Sequence, residues 1–217
     1  HVTGVQTCAL PISSPNPAAS AVDAGNRRLW RMNRLRLDAE GVRDNLLAAC
    51  GRLDLAMGGP PVLHFAHEGD RTFMPAGGAP PIVRYDQFDP DSAAACRRAV
   101  YRFVFRTVPD PLMDALDCPD GGSLTPVRSV STTALQALAM LNDRFLARQC
   151  VHLAAGIERA AAGLDDQVEL AVERLLGRAA RPGERLSLVR DAAKHGVANT
   201  CHLLLNSNRS EEHTSEL

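Results

Sequence analysis

The chain has 217 residues, 45% apolar and 23% charged, with 24 Lys and Arg against 25 Asp and Glu and a formal net charge of −1. Such a length suits one domain or two small ones with a buried core. The near-neutral balance gives no electrostatic case for nucleic acid or an anionic membrane, and no uninterrupted apolar run approaches the ~20 residues of a spanning helix.

The two ends differ from the text between them. Plausible codons for Arg209–Leu217, read on the opposite strand, encode Val5–Ile12 with parts of the Gly4 and Ser13 codons. One DNA string on both strands resembles a sequencing-library adapter, so residues 1–13 and 209–217 are expected to be adapter-derived and are set aside. The domain is expected over 14–208, incomplete at both ends, with a net charge of +1 once Arg209, Glu211, Glu212 and Glu216 are removed. Five cysteines then remain, Cys50, Cys96, Cys118, Cys150 and Cys201. None shows CxxC, CxxCH or zinc-ribbon spacing. Cys50, Cys150 and Cys201 read as small buried apolar residues, and Cys118 as an exposed thiol or a bridge to Cys96.

Residues 13–20 read as linker. The text from Asn26 then turns helical: Val42, Leu46, Cys50 and Leu53 share one face, Asp38 is the N-cap and Gly51 the C-terminal glycine. Glu40 and Arg43 are spaced to face each other, and Trp30 is expected to anchor the segment in the core. Residues 57–81 are dense in Gly and Pro and predict a long irregular loop. It carries His64, His67 and Glu68, which read either as exposed loop residues or as ligands of a metal-stabilised module. The spacing is not that of HExxH, and no metal site is assigned. Val100, Tyr101, Phe103, Val104 and Phe105 predict a short strand, with 81–88 as its partner. Residues 108–122 predict turn, short helix, turn.

Thr133 and Gln136 form a capping box at the start of a helix, with Leu135, Leu138 and Leu141 as its core stripe. Ser129, Ser131, Thr132 and Thr133 beside Arg128 suit an anion or sugar site at a helix N-terminus or, more simply, helix capping. Asn142 and Asp143 end one helix and cap the next, which carries Phe145, Leu146, Val151 and Leu153. Further helices follow. One begins at Asp165 or Asp166 with Val168, Ala171, Val172, Leu175 and Leu176. A second carries Leu186 and Val189 as far as Gly196, and the last holds Cys201, Leu204 and Leu205. Gly177 and Pro182 punctuate them. The fold class expected is mainly α: an antiparallel helical bundle with a small β-strand pair and a long Gly/Pro-rich loop.

Five segments, in order, carry a family resemblance: NRRLWRMNRLRLDAEGVRDNLLAACGRLDLAMGG, RRAVYRFVFRTVPDPLMDALDCPD, VRSVSTTALQALAMLND, LLGRAARPGE and CHLLLNSN. Together they resemble domain of unknown function 1553, the planctomycete-type PSD-one domain. Arg128, Gln136, Ala137, Leu138, Leu141, Asn142 and Asp143 match its central pattern, while Ala134 and Arg144 stand where that family tends to have Pro. The resemblance implies an extracytoplasmic accessory or binding module of a larger cytochrome-linked protein. Its partners would be other domains of the same chain and a polymeric or saccharide ligand. No cofactor is expected on this fragment, and haem would belong to a neighbouring domain.

Arg106, Arg128, Gln136, Asn142 and Asp143 are the candidate ligand-binding residues, expected between loop 57–81 and the start of the middle helix. The main alternative is an envelope polysaccharide-acting enzyme using two of the carboxylates Asp114, Asp117, Asp120 and Asp143.

Overall fold

The computed structural model describes residues 16–30, 37–68, 82–105, 108–119, 124–129, 131 and 133–207. Both adapter-like ends fall outside them, as do Arg106, Asp120 and Thr132. The described residues form eight α-helices and one two-stranded sheet. The chain divides into two compact units, 37–152 and a second that joins the N-terminal residues to 153–217.

In the 37–152 unit, helix α2 (Ala39–Ala49) starts where the Asp38 carboxylate accepts the Gly41 N–H at 2.8 Å. It ends where Gly51, at φ +68°, turns the chain so that Arg52 N–H reaches the Leu47 carbonyl, the left-handed glycine stop. Val42, Leu46 and Leu47 face the core. So does Arg43, which turns inward instead of meeting Glu40 on the surface. Strands β1 (Ala66–Glu68) and β2 (Ile82–Arg84) then pair antiparallel, His67 opposite Val83. A strand pair therefore exists, but β1 comes from within the predicted loop.

Residues 99–105 are not the predicted strand. They form a 3-10 turn (Ala99–Tyr101) followed by isolated bridges from Arg102 to Val62 and from Phe105 to Val108. Val100 and Val104 point to solvent. The apolar run instead serves an aromatic cluster, with Phe65 edge-on to Tyr85 and Phe103 at 5.9 and 6.1 Å between ring centres. Helix α3 (Pro111–Ala115) follows, with Asp110 as N-cap and Pro111 at its first position, where Pro is preorganised for a helix.

Helix α4 (Ala134–Asn142) opens on the expected Thr133–Gln136 capping box. Its buried residues are Gln136 and Met140, whereas Leu135, Leu138 and Leu141 are 75%, 53% and 49% exposed. The predicted leucine stripe is thus the outer face. Gln136 is drawn inward by hydrogen bonds to Asp117 and Ser131, both 2.9 Å, and Met140 lies one turn on from it. Asp143 separates α4 from α5 (Arg144–Ala160) and caps α5 by accepting the Leu146 N–H at 2.8 Å. Phe145, Leu146, Cys150 and Leu153 are buried, while Val151 is exposed.

The other unit contains α1 (Pro17–Val22) and a turn in which the Trp30 indole N–H donates to the Asp23 carbonyl at 2.8 Å. That holds Trp30 half-buried in a local turn, not at the centre of a core. Helices α6 (Leu164–Leu176), α7 (Pro182–His195) and α8 (Val197–Ser207) pack pairwise into a bundle. Gly163 rather than an aspartate is the N-cap of α6, with Asp165 and Asp166 in its first turn and Gly177 in the left-handed conformation at its end. Val168, Ala171, Val172 and Leu175 meet Leu188, Ala192, Val197, Cys201, Leu204 and Leu205 in the core. Leu186 is exposed, and the inward leucine of α7 is Leu188.

Candidate functional site

A cavity of about 300 Å³ opens in the 37–152 unit. Its size sits at the small end of the roughly 300–1,000 Å³ typical of small-molecule sites. Arg43 of α2 and His64, before β1, form one side, and Tyr85, Phe88 and Pro90, after β2, another. The N-terminus of α3, from Asp110, and the α4–α5 junction, Asn142 to Phe145, close it. The two helix-capping aspartates therefore line one space. Each places a carboxylate at a helix start, where free N–H groups and the helix dipole favour negative charge.

The wall between β2 and α5 is held by polar contacts. Gln149, fully buried on α5, accepts from Arg52 at 2.9 Å and donates to the Pro90 carbonyl at 2.9 Å. The Asp91 carboxylate receives Arg148 Nε at 2.8 Å and His152 Nε2 at 2.6 Å, and both partners hold it well below the ordinary carboxylate range.

Arg43 is 2% exposed. It donates to the carbonyls of Arg97 and Ala95 at 2.8 and 2.5 Å, and its guanidinium lies 4.4 Å over the Phe145 ring. Asp44 is the carboxylate beside it, at 3.9 Å. His64 stands between charges, with Nε2 3.4 Å from Arg43 and Nδ1 3.6 Å from Asp110, and packs on Phe88. Burial, with help from Arg43, pushes its pKa down against the pull of Asp110, so the ring is neutral at pH 7. A proton on Nδ1 leaves Nε2 to accept from Arg43.

The two carboxylates differ. Burial raises the pKa of Asp143, Asp110 adds to the rise, and the Leu146 N–H only partly offsets it. Burial alone would raise Asp110 as well, but His64, the Met113 N–H and Arg102 outweigh it and bring its pKa below the ordinary value. Opposite displacement of two carboxylates in one space is a pattern of functional sites.

Of the candidates read from sequence, Asn142 and Asp143 line this cavity, Arg128 and Gln136 do not, and Arg106 lies outside the described residues. Arg128 is exposed and pairs with Glu40 at 2.7 and 3.0 Å and with Asp38 at 3.2 Å. Gln136 belongs to a buried network in which Asp117, at φ +62°, accepts from the Ser131 N–H and hydroxyl at 2.8 Å and from Gln136. Within the hydroxyl cluster Thr133 thus serves helix capping and Ser131 this network, while Thr132 lies outside the described residues. Asp120 lies outside the described residues; of the other three carboxylates proposed for catalysis, Asp114 is exposed, Asp117 belongs to the Gln136 network, and only Asp143 lines the cavity. Asp110 was missed: Asp-Pro before a short helix reads as a turn. Its one distinguishing signal is that, like Asp143, it precedes a helix start.

His64 is a half-buried wall residue, not an exposed loop histidine, and the side chains of His67 and Glu68 lie outside the described residues. Among the described residues no three His, Cys, Asp or Glu side chains converge as a metal site. None of the five described cysteines is in a disulfide. Cys118 does not bridge to Cys96; it accepts from Arg102 at 2.9 Å, and burial pushes its thiol up to about 11. No helix among the described residues is long and apolar enough to cross a membrane.

The family described as "Protein of unknown function (DUF1553)" matches residues 11–191. The CHLLLNSN block at 201–208 lies outside that match. No curated protein and no solved structure matches the chain significantly.

Proposed function

The chain belongs to the DUF1553 family of unknown function, and from its own geometry we propose that it is a binding module whose ligand seat is the Asp110–Asp143 cavity. The ligand class is a saccharide or other polyhydroxylated group. One observation carries this: a cavity of about 300 Å³ combines the rings of Tyr85, Phe88 and Phe145 with the carboxylates of Asp110 and Asp143 and the Asn142 amide. Flat apolar rings suit the C–H faces of a sugar, and convergent acceptors and an amide suit its hydroxyls. The family resemblance supports the wider setting, an extracytoplasmic accessory domain of a cytochrome-linked chain. Fractionation of cells expressing the full-length protein tests that location.

Calorimetric titration of the 217-residue chain with glucose, xylose and glucosamine oligomers tests the seat. At least one binds, and Phe88→Ala or Asn142→Ala weakens it about tenfold, the loss of one good contact. Absence of heat with every oligomer contradicts the proposal.

A second reading, hydrolysis of an envelope polysaccharide, is favoured by the opposite pKa displacement of Asp110 and Asp143. It would use Asp143 as the acid and Asp110 as its charged companion. Release of reducing ends from a bound oligomer supports it; stable binding without release rejects it.

A further inference from the structure

We infer that the cavity selects an amino sugar, with one ammonium group seated between Asp110 and Asp143; this rests on the saccharide reading above. The argument is one of charge and of which donors remain available. Arg43 is the inner cation, but both of its terminal nitrogens already donate, to the Arg97 and Ala95 carbonyls, with His64 3.4 Å from one of them, and one face is covered by Phe145. It therefore offers no fork to an anion. Its charge is answered first by Asp44, 3.9 Å away and outside the cavity lining, and then by Asp110 and Asp143. At the rim, Asp86 and Arg144 are opposite in sign, and Arg144 donates to the Asp86 carbonyl at 2.5 Å.

Asp44, Asp110 and Asp143 thus share the Arg43 cation, with Arg102 acting on Asp110, and negative charge remains in excess at the inner wall. Asp110 accepts the Met113 N–H at 3.2 Å through Oδ1, and Asp143 accepts the Leu146 N–H at 2.8 Å through Oδ1. An ionised carboxylate has about four acceptor sites, so both can take a further donor. His64 is uncharged and supplies no counter-charge. An anionic ligand would meet two like charges in a partly dry space, at a cost of several kcal/mol. A neutral sugar would leave that negative excess without a counter-charge. An ammonium group supplies the missing charge, and the aromatic side chains of Tyr85 and Phe88 line the same cavity, residues of a type that attracts a cation.

Four probes separate the possibilities: glucosamine trimer, cellotriose, N-acetylated glucosamine trimer and butylamine, each titrated into the full chain and into the D110N/D143N variant. Asn is as good an N-cap as Asp, so the variant keeps both helix starts, and its melting curve verifies that. The expected result is glucosamine trimer about tenfold or more tighter than cellotriose and the acetylated trimer, in line with a hydrogen bond to a charged group. That preference falls to about onefold in the folded double variant. Equal affinity for the charged and neutral trimers, or a preference that survives the double substitution, overturns the ammonium inference while leaving the saccharide seat intact. Butylamine binding as tightly as the glucosamine trimer keeps the ammonium seat and removes the saccharide reading. Silence from all four removes both.

Discussion

Glu40 holds Arg128 through both carboxylate oxygens, and that pair brings its pKa down from 4.5 to about 2. A carboxyl depressed on folding contributes stability above its unfolded pKa and loses it as pH falls through the folded one. The contribution is therefore complete above about pH 4.5 and fades toward pH 2. Urea titrations of wild type and Arg128→Ala should differ at pH 6 and converge at pH 2; a constant difference would contradict the pairing. Solvent screening keeps the gap small. Gln136 is a stronger test, being buried and bonded to Asp117, Ser131 and Thr133. Gln136→Ala strands those partners, and its expected cost is about 1–3 kcal/mol, with no effect on ligand affinity. At this scale the sequence singled out the right kinds of residue but not their destinations. Arg128 and Glu40 are 88 positions apart, and no local spacing announces that they meet. Asp143 and Asn142 were legible because a helix junction is a local event. Asp110 was not, because its importance comes from sharing a space with Asp143.

Helix starts and stops were the most legible elements. The Asp38 cap, the Thr133–Gln136 box, the Asn142–Asp143 junction, Gly177 and Pro182 all stand where local hydrogen bonding puts them. Which face of a helix is buried was less legible. In α4 every third residue is a leucine, yet the face is chosen by Gln136 and Met140. The opposite outcomes can be measured. Leu138→Ser should change stability by no more than about 0.5 kcal/mol, as for an exposed position, whereas Met140→Ala should cost about 2–5 kcal/mol. Denaturant midpoints at unchanged slope read both, and reversal of the order would mean that α4 is rotated. The segment 99–105 failed as a strand for a related reason: aromatic and β-branched residues serve an aromatic cluster as readily as a sheet.

At the scale of the molecule, the amphipathic pattern of 164–207 was enough to give a bundle, since each helix buries its own stripe against the others. Residues 37–152 were harder to foresee. That unit is built from short helices, 3-10 turns and buried polar ties such as Gln149, whose pairing depends on contacts distant in sequence. The cavity is a product of those ties, which is why composition gave no hint of it. A ligand bound there and not by the unfolded chain should stabilise the protein by about 2.7 kcal/mol at one hundred times its Kd, visible as a raised Tm whose increment Phe88→Ala about halves.

The most direct test of the cavity as a ligand seat is an amide chemical-shift titration of the chain with glucosamine trimer. The prediction is saturable shifts confined to residues around the cavity, at His64, Tyr85, Phe88, the Asp110–Met113 turn and Asn142–Phe145. Saturable shifts centred instead on Arg128 and Glu40, or none at all, would contradict it.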